Sequence, residues 1–142
     1  MSLDIIYNKT AIIQRCMARI NEEYENDPNN LLNYTKQDSI ILNIQRACEA
    51  AIDLAMHFIS KNKLGLPQSS RDCFRILHNN RIIDQELMTS LQRMVGFRNI
   101  AVHAYQELNL DIVKNIVEHN LDNLLKFSKV ILTTADRKLN NT

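Results

Sequence analysis

Residues 35–61 read TKQDSIILNIQRACEAAIDLAMHFISK, without a glycine or a proline. Ile41, Ile44, Cys48, Ala51, Ala55 and Phe58 recur at steps of three and four, with Ile40, Ala47 and Leu54 beside them. That is the period of an α-helix with one wide apolar face. A helix apolar over so much of its girth must be covered from more than one side, which places it at the centre of a helical bundle. Thr35-Lys36-Gln37-Asp38 has the spacing of a capping box, with Asp38 in place of the preferred Glu, and is read as the helix start. Gly65 and Pro67 mark the break after it.

The same period extends outward on both sides. A first helix is expected over about residues 2–25, its apolar side formed by Ile5, Ile6, Ile12, Ile13, Cys16, Met17 and Ile20. It ends in the acidic, helix-breaking run Glu25-Asn26-Asp27-Pro28-Asn29-Asn30. Ser69 caps a short helix over 70–79 whose core residues are Phe74 and Leu77. After Asn79-Asn80, Asp84 caps a fourth helix expected to run through Tyr105 on Leu87, Leu91, Met94, Val95 and Val102. Asn109 or Asp111 starts a fifth, reaching about Lys138, with Ile112, Ile116, Leu121, Leu124, Leu125, Phe127, Ile131 and Leu132 as core candidates. No period-2 run is long enough for a strand. The expected fold is all-α: an antiparallel bundle of four long helices and one short one. Residues 138–142 are expected to fray.

Length and composition agree. A chain of 142 residues predicts one domain, 1–142. With Gly 2 and Pro 2, an all-β sandwich lacks its turn residues. Hydrophobic residues at 45% exclude disorder. The net charge of +1 excludes a protein that coats nucleic acid along its whole surface. The charge is uneven, however. Residues 1–60 carry 5 basic and 8 acidic side chains, whereas residues 61–105 carry 7 basic and 3 acidic. A phosphate-binding surface, if the chain has one, belongs in that middle segment; charge alone favours the other reading, solvated helix faces. Cys16, Cys48 and Cys73 are odd in number and lack metal or redox spacing, which points to a reducing compartment and a cytoplasmic location. Neither a signal peptide nor a membrane span is expected.

One stretch carries chemistry: Gly96-Phe97-Arg98-Asn99-Ile100-Ala101-Val102-His103-Ala104-Tyr105. Arginine is a permanent cation whose planar fork fits phosphate oxygens. Histidine exchanges a proton near neutral pH. Together they suit phosphodiester cleavage, His103 moving the proton and Arg98 stabilising charge on the reacting phosphate. RNA brings its own nucleophile, the 2′-hydroxyl, so no metal is obligatory. Taken singly, Arg98 reads as a salt bridge across the bundle, His103 as a satisfied core histidine and Tyr105 as an interface aromatic; their company reverses this. Asn99 either fixes the His103 tautomer or touches substrate. His57, His78 and His119 make no metal-ligand spacing and read as surface or packing residues. Met17, Met56, Met88 and Met94 read as core filler.

Helix geometry constrains the motif. Arg98 and His103 lie about 140° apart around a helix and do not share a face. Asn99 and His103 do, as do Arg98 and Tyr105. Bringing Arg98 and His103 to one phosphate needs a bend, for which Gly96 is the candidate, or a second copy across a two-fold axis. The expectation is a homodimer with a composite cleft.

Arg98-Asn99-x-x-x-His103-x-Tyr105 resembles the Arg-x4-His-x-Tyr signature of HEPN-domain toxins of the HepT type, the toxins of type VII (MntA/HepT) toxin–antitoxin systems. Residues 38–53, the Gly65-Leu66-Pro67 turn with Phe74 and Leu77 after it, and Met94-Val95-Gly96-Phe97 are also similar in type and order. The resemblance covers essentially the whole chain. It implies a HEPN-type bundle, dimeric, with the motif cleft at the interface. It implies metal-independent endoribonuclease activity, with Arg98 and His103 catalytic and Asn99 supporting. It implies that Tyr105 receives AMP from a cognate nucleotidyltransferase antitoxin of the MntA type. The toxin itself would need no cofactor, and ATP would be used by the antitoxin. RNA is the implied substrate. The alternative is a non-catalytic nucleotide- or substrate-binding subunit of a nucleotidyltransferase.

Overall fold

The computed structural model describes residues 2–140. Helix α1 (Ser2–Tyr24) buries Ile6, Ile13, Cys16, Ile20 and Tyr24 against α2 (Tyr34–Lys61), the most extensive pairing in the bundle. Between them Glu25 and Asn26 take left-handed backbone (φ 53° and 56°), and a 3-10 turn follows at Pro28–Leu32. Asn33 is the cap of α2: its side-chain oxygen accepts from the Lys36 amide at 3.1 Å. The expected box at Thr35–Asp38 is therefore not the cap. Asn33 already holds the extended backbone that a cap requires and leads the helix in at Tyr34, which leaves Asp38 inside the helix with its carboxylate unused by the backbone.

Helix α3 (Ser70–Asn79) starts at Ser69, whose hydroxyl accepts from the Asp72 amide. Helix α4 (Gln85–His103) starts at Asp84, which accepts from the Leu87 amide. Both caps are as expected. α4 stops at His103, earlier than expected. Ala104 leaves the helical region (φ −148°, ψ 50°), and Tyr105 lies in a 3-10 turn, Tyr105–Glu107. The expected fifth helix is one helical path in three parts: α5 (Leu110–Asn115) capped by Asn109, a π turn at Ile116–Asn120, and α6 (Leu121–Asn140). It continues past Lys138, so residues 138–140 are helical rather than frayed; 141–142 lie outside the described residues.

α6 packs on α1, α2 and α4, while α3 closes the side formed by α2 and α4. Phe74 of α3 meets Phe127 of α6 edge to face, with centroids 5.4 Å apart, and both rings are buried. Such a pair adds about 0.5–1.5 kcal/mol beyond its burial. α2 is buried along its length from Ile40 to Ile59, as its wide apolar face predicts. Three expected core residues are exposed. Ile5 lies beside the buried stripe of α1, and Val102 faces outward where α4 ends. Ile112 is exposed because its neighbour Val113 takes the inward position of α5, followed by Ile116 at the start of the π turn and by Leu121 and Leu124 after it. No helix among the described residues is long and apolar enough to cross a membrane.

Candidate active site

α4 has two differently used sides at its C-terminal half. Met94, Phe97 and Ala101 are buried against the bundle. Arg98 follows them inward. It is half-buried, its Nη2 donates to Ser70 Oγ at 3.2 Å, and its Nε–H is buried without a partner. Its charge reaches Cys48 on α2, where burial pushes the thiol up to about 12 and the guanidinium pulls the other way. Among the described residues Arg98 makes no ion pair, so a salt bridge across the bundle is not its role.

The other side of α4 carries Gly96, Asn99, Ile100 and His103. Asn99 and His103 are both exposed, one turn apart, as their spacing predicts. No hydrogen bond links them among the described residues. Asn99 instead lines a groove of about 370 Å³ with Ser69, Ser70, Arg71, Val95, Gly96 and Ile100. α4 runs through Gly96 without a break. The missing Cβ of Gly96 has its own use, because a Cβ there would collide with Nη2 of Arg71. The Arg71 guanidinium thus lies directly across α4, and Gln92 holds the Arg71 carbonyl through its side-chain amide at 3.1 Å. Arg71 has no carboxylate partner among the described residues. Its neighbour Arg75 does, with Asp72 at 2.5 Å. The Gln68 amide, followed by Arg75, holds the Asp72 carboxyl below its ordinary range. Near α4 the positive excess of the middle segment is therefore carried by Arg71, Arg93 and Arg98, none of them in an ion pair among the described residues.

Tyr105 is 39% exposed, and its phenol donates a hydrogen bond to Asp38 Oδ1 at the start of α2. Burial, and then this carboxylate, push the phenol up to about 12. The chain thus brings Arg98 to the seam with α2 and α3, leaves His103 and Asn99 exposed on α4, and fastens Tyr105 to Asp38 of α2. It does not join Arg98 to His103. The spacing in sequence shows neither Asp38, Ser70 nor Arg71 as a neighbour of the motif; they arrive from α2 and α3. His57 is half-buried, His78 Nδ1 lies 3.1 Å from the Ile83 carbonyl, and His119 is exposed. No group of three or more His, Cys, Asp or Glu side chains is placed to hold a metal among the described residues.

A family model described as ribonuclease HepT-like matches residues 13–131. The chain belongs to this HepT-like family. It is 52% identical over 128 residues to the mRNA nuclease HepT of Shewanella oneidensis, covering 90% of this chain and 96% of that protein. Two solved structures are similar to the HepT-like chain. One is a toxin–antitoxin complex with AMP-PNP: TM-score 0.84, 51% identity, 90% of this chain and 97% of the other. The second is a tri-AMPylated Shewanella oneidensis HEPN toxin in complex with MNT antitoxin: TM-score 0.85, 53% identity, 90% of this chain and 96% of the other. The HEPN-type helical fold expected from the motif is borne out.

Proposed function

We propose that this HepT-like chain is the ribonuclease toxin of a toxin–antitoxin pair, that it cuts RNA without a metal ion, and that AMP on Tyr105 silences it. The observation that carries the proposal is an uncompensated Arg98 fixed at Ser70 and an exposed His103 on the same helix, in a chain of ribonuclease HepT-like type. The 52% identity to an mRNA nuclease supports RNA as substrate.

The chemistry follows from the groups. His103 takes the proton of a 2′-hydroxyl, whose oxygen attacks the adjacent phosphorus. A second histidine proton transfer frees the 5′ oxygen. The products carry 2′,3′-cyclic phosphate and 5′-hydroxyl ends. Positioned proton transfer contributes about 10²–10⁴-fold. Arg98 stabilises the charge that grows on the phosphate oxygens, and its anchor on Ser70 limits how far it must reorganise. Arg71, held over Gly96, binds a neighbouring phosphate. Asn99 lies on the substrate side of α4. The separation of Arg98 and His103 within one subunit supports a homodimer that completes the cleft, and exposed Ile100 and Val102 offer it apolar surface beside the motif.

AMP on Tyr105 adds a phosphodiester anion and a bulky base at the end of α4. RNA phosphates would be repelled there. The resemblance to a tri-AMPylated toxin bound to an MNT antitoxin supports this switch, with ATP used by the antitoxin partner. The free, buried cysteines Cys16, Cys48 and Cys73 suit a cytoplasmic location.

The test is cleavage of end-labelled total RNA by partner-free protein, with chelator present, beside His103→Ala. The expected result is cutting by wild type, a loss of about 10²–10⁴-fold in the variant, and an unchanged melting temperature, since His103 is exposed. Equal cutting by both places the chemistry elsewhere. No cutting by wild type of unmodified mass moves the assignment to a binding subunit.

A further inference from the structure

The Tyr105 phenol must lose its proton if it is to accept AMP. It does not lose it in advance: burial and the Asp38 carboxylate hold the proton on up to about pH 12. A base must therefore be in place as the new bond forms. One is already bound to the reacting oxygen. Tyr105 Oη donates to Asp38 Oδ1, a contact across 67 residues of sequence between the turn after α4 and the first turns of α2. Asp38 is not needed to cap α2, because Asn33 does that. Nor does it form an ion pair among the described residues. It is an exposed carboxylate on the second turn of α2. The tyrosine remains open enough for a partner to reach it.

We propose that Asp38 is the general base for AMP transfer to Tyr105, an inference that rests on Tyr105 being the acceptor. The Tyr105 oxygen forms a bond to the α-phosphorus of ATP as the bond from that phosphorus to the α–β bridging oxygen breaks. Pyrophosphate leaves with the electron pair. The phenolic proton passes to Asp38 and then to water. The same contact gives the product a direction. Once AMP is attached, the tyrosine oxygen is no longer a donor, and the Asp38 carboxylate faces a phosphodiester anion. The modified side chain is repelled from α2 and cannot return to the unmodified pose. Any AMP added later attaches elsewhere, so Asp38 serves the first addition alone.

The experiment is a time course of intact mass for the full chain with its antitoxin and magnesium ATP. Asp38→Asn keeps a carbonyl that accepts the phenol bond but takes no proton. It should slow the first AMP addition by about 10²-fold or more, without a build-up of the singly modified form. Asp38→Glu, a base on a longer arm, should recover most of the rate. Tyr105→Phe should gain no AMP at this site. An Asp38→Asn protein modified at the wild-type rate overturns the role of Asp38 and leaves Tyr105 as acceptor. Equal slowing in Asp38→Asn and Asp38→Glu, with a lowered melting temperature, also overturns it, because a base would be rescued and a structural contact would not. A wild type that gains no AMP from a demonstrably active antitoxin removes the acceptor itself.

Discussion

Arg98 and His103 lie little more than one turn apart on α4, yet the fold treats them in opposite ways. Arg98 is drawn into the seam with α2 and α3, fixed at Ser70, and flanked by buried Phe97 and Ala101. His103 is the last residue of its helix, exposed, with a non-helical Ala104 behind it. The difference matches the two tasks proposed for them. A group that stabilises charge works best when it does not move. A group that carries protons must meet both substrate and solvent. The held side should therefore respond to substitution in stability as well as rate, and the open side in rate alone.

The strongest test of the held side is Phe97→Ala. Phe97 is 4% exposed and directly precedes Arg98. Removing a buried phenyl ring costs about 3–5 kcal/mol, a large share of the stability of a domain this size. Urea unfolding should show that loss. A cost below about 1 kcal/mol would mean that the core does not anchor this part of α4, and the contrast with His103 would disappear.

Arg98→Lys sharpens the same contrast at lower cost. Lysine keeps the charge and loses the planar fork. RNA cleavage should fall by about 10²-fold or more while folding is retained. Ser70→Ala removes only the anchor, and its effect on the rate should be a few-fold. If Ser70→Ala were as damaging as Arg98→Lys, then Ser70 itself, rather than the guanidinium it holds, would contact the substrate.

The sequence shows clearly what local chemistry decides. Ser69, Asp84 and Asn109 cap their helices because each side chain needs only the amides two or three residues ahead. The wide face of α2 marks it as central because the pattern repeats without a break. The Arg98 to Tyr105 spacing marks the motif for the same reason. What stays hidden depends on distant partners or on which of two adjacent residues turns inward. Asp38 looks like a cap because its spacing from Thr35 fits one, and nothing within that spacing shows Asn33 already in place. Its bond to Tyr105 spans 67 residues and leaves no periodic trace. Ile112 looks like a core residue because it stands four before the buried Ile116, and that spacing does not show that Val113, three before it, takes the inward position. Tyr105 leaves the helix because Ala104 does, and alanine carries no sign of that.

Gly96 illustrates both cases, since a glycine in the middle of a helix suggests a bend and the structure shows a vacancy filled by Arg71. Gly96→Ala separates the two explanations. Alanine is the better helix former by about 0.8–1.0 kcal/mol. The atom its Cβ would strike is the far end of a flexible, exposed side chain, so Arg71 can swing away at little cost. Stability should therefore rise slightly, by less than about 1 kcal/mol. RNA affinity should nonetheless fall a few-fold, and its dependence on salt should weaken, because a displaced Arg71 neutralises one phosphate fewer. Opposite signs in the two measurements would place Gly96 there for the arginine. A gain in stability with unchanged binding would leave Arg71 a surface residue, and the open side of α4 would then rely on Asn99 and His103 alone.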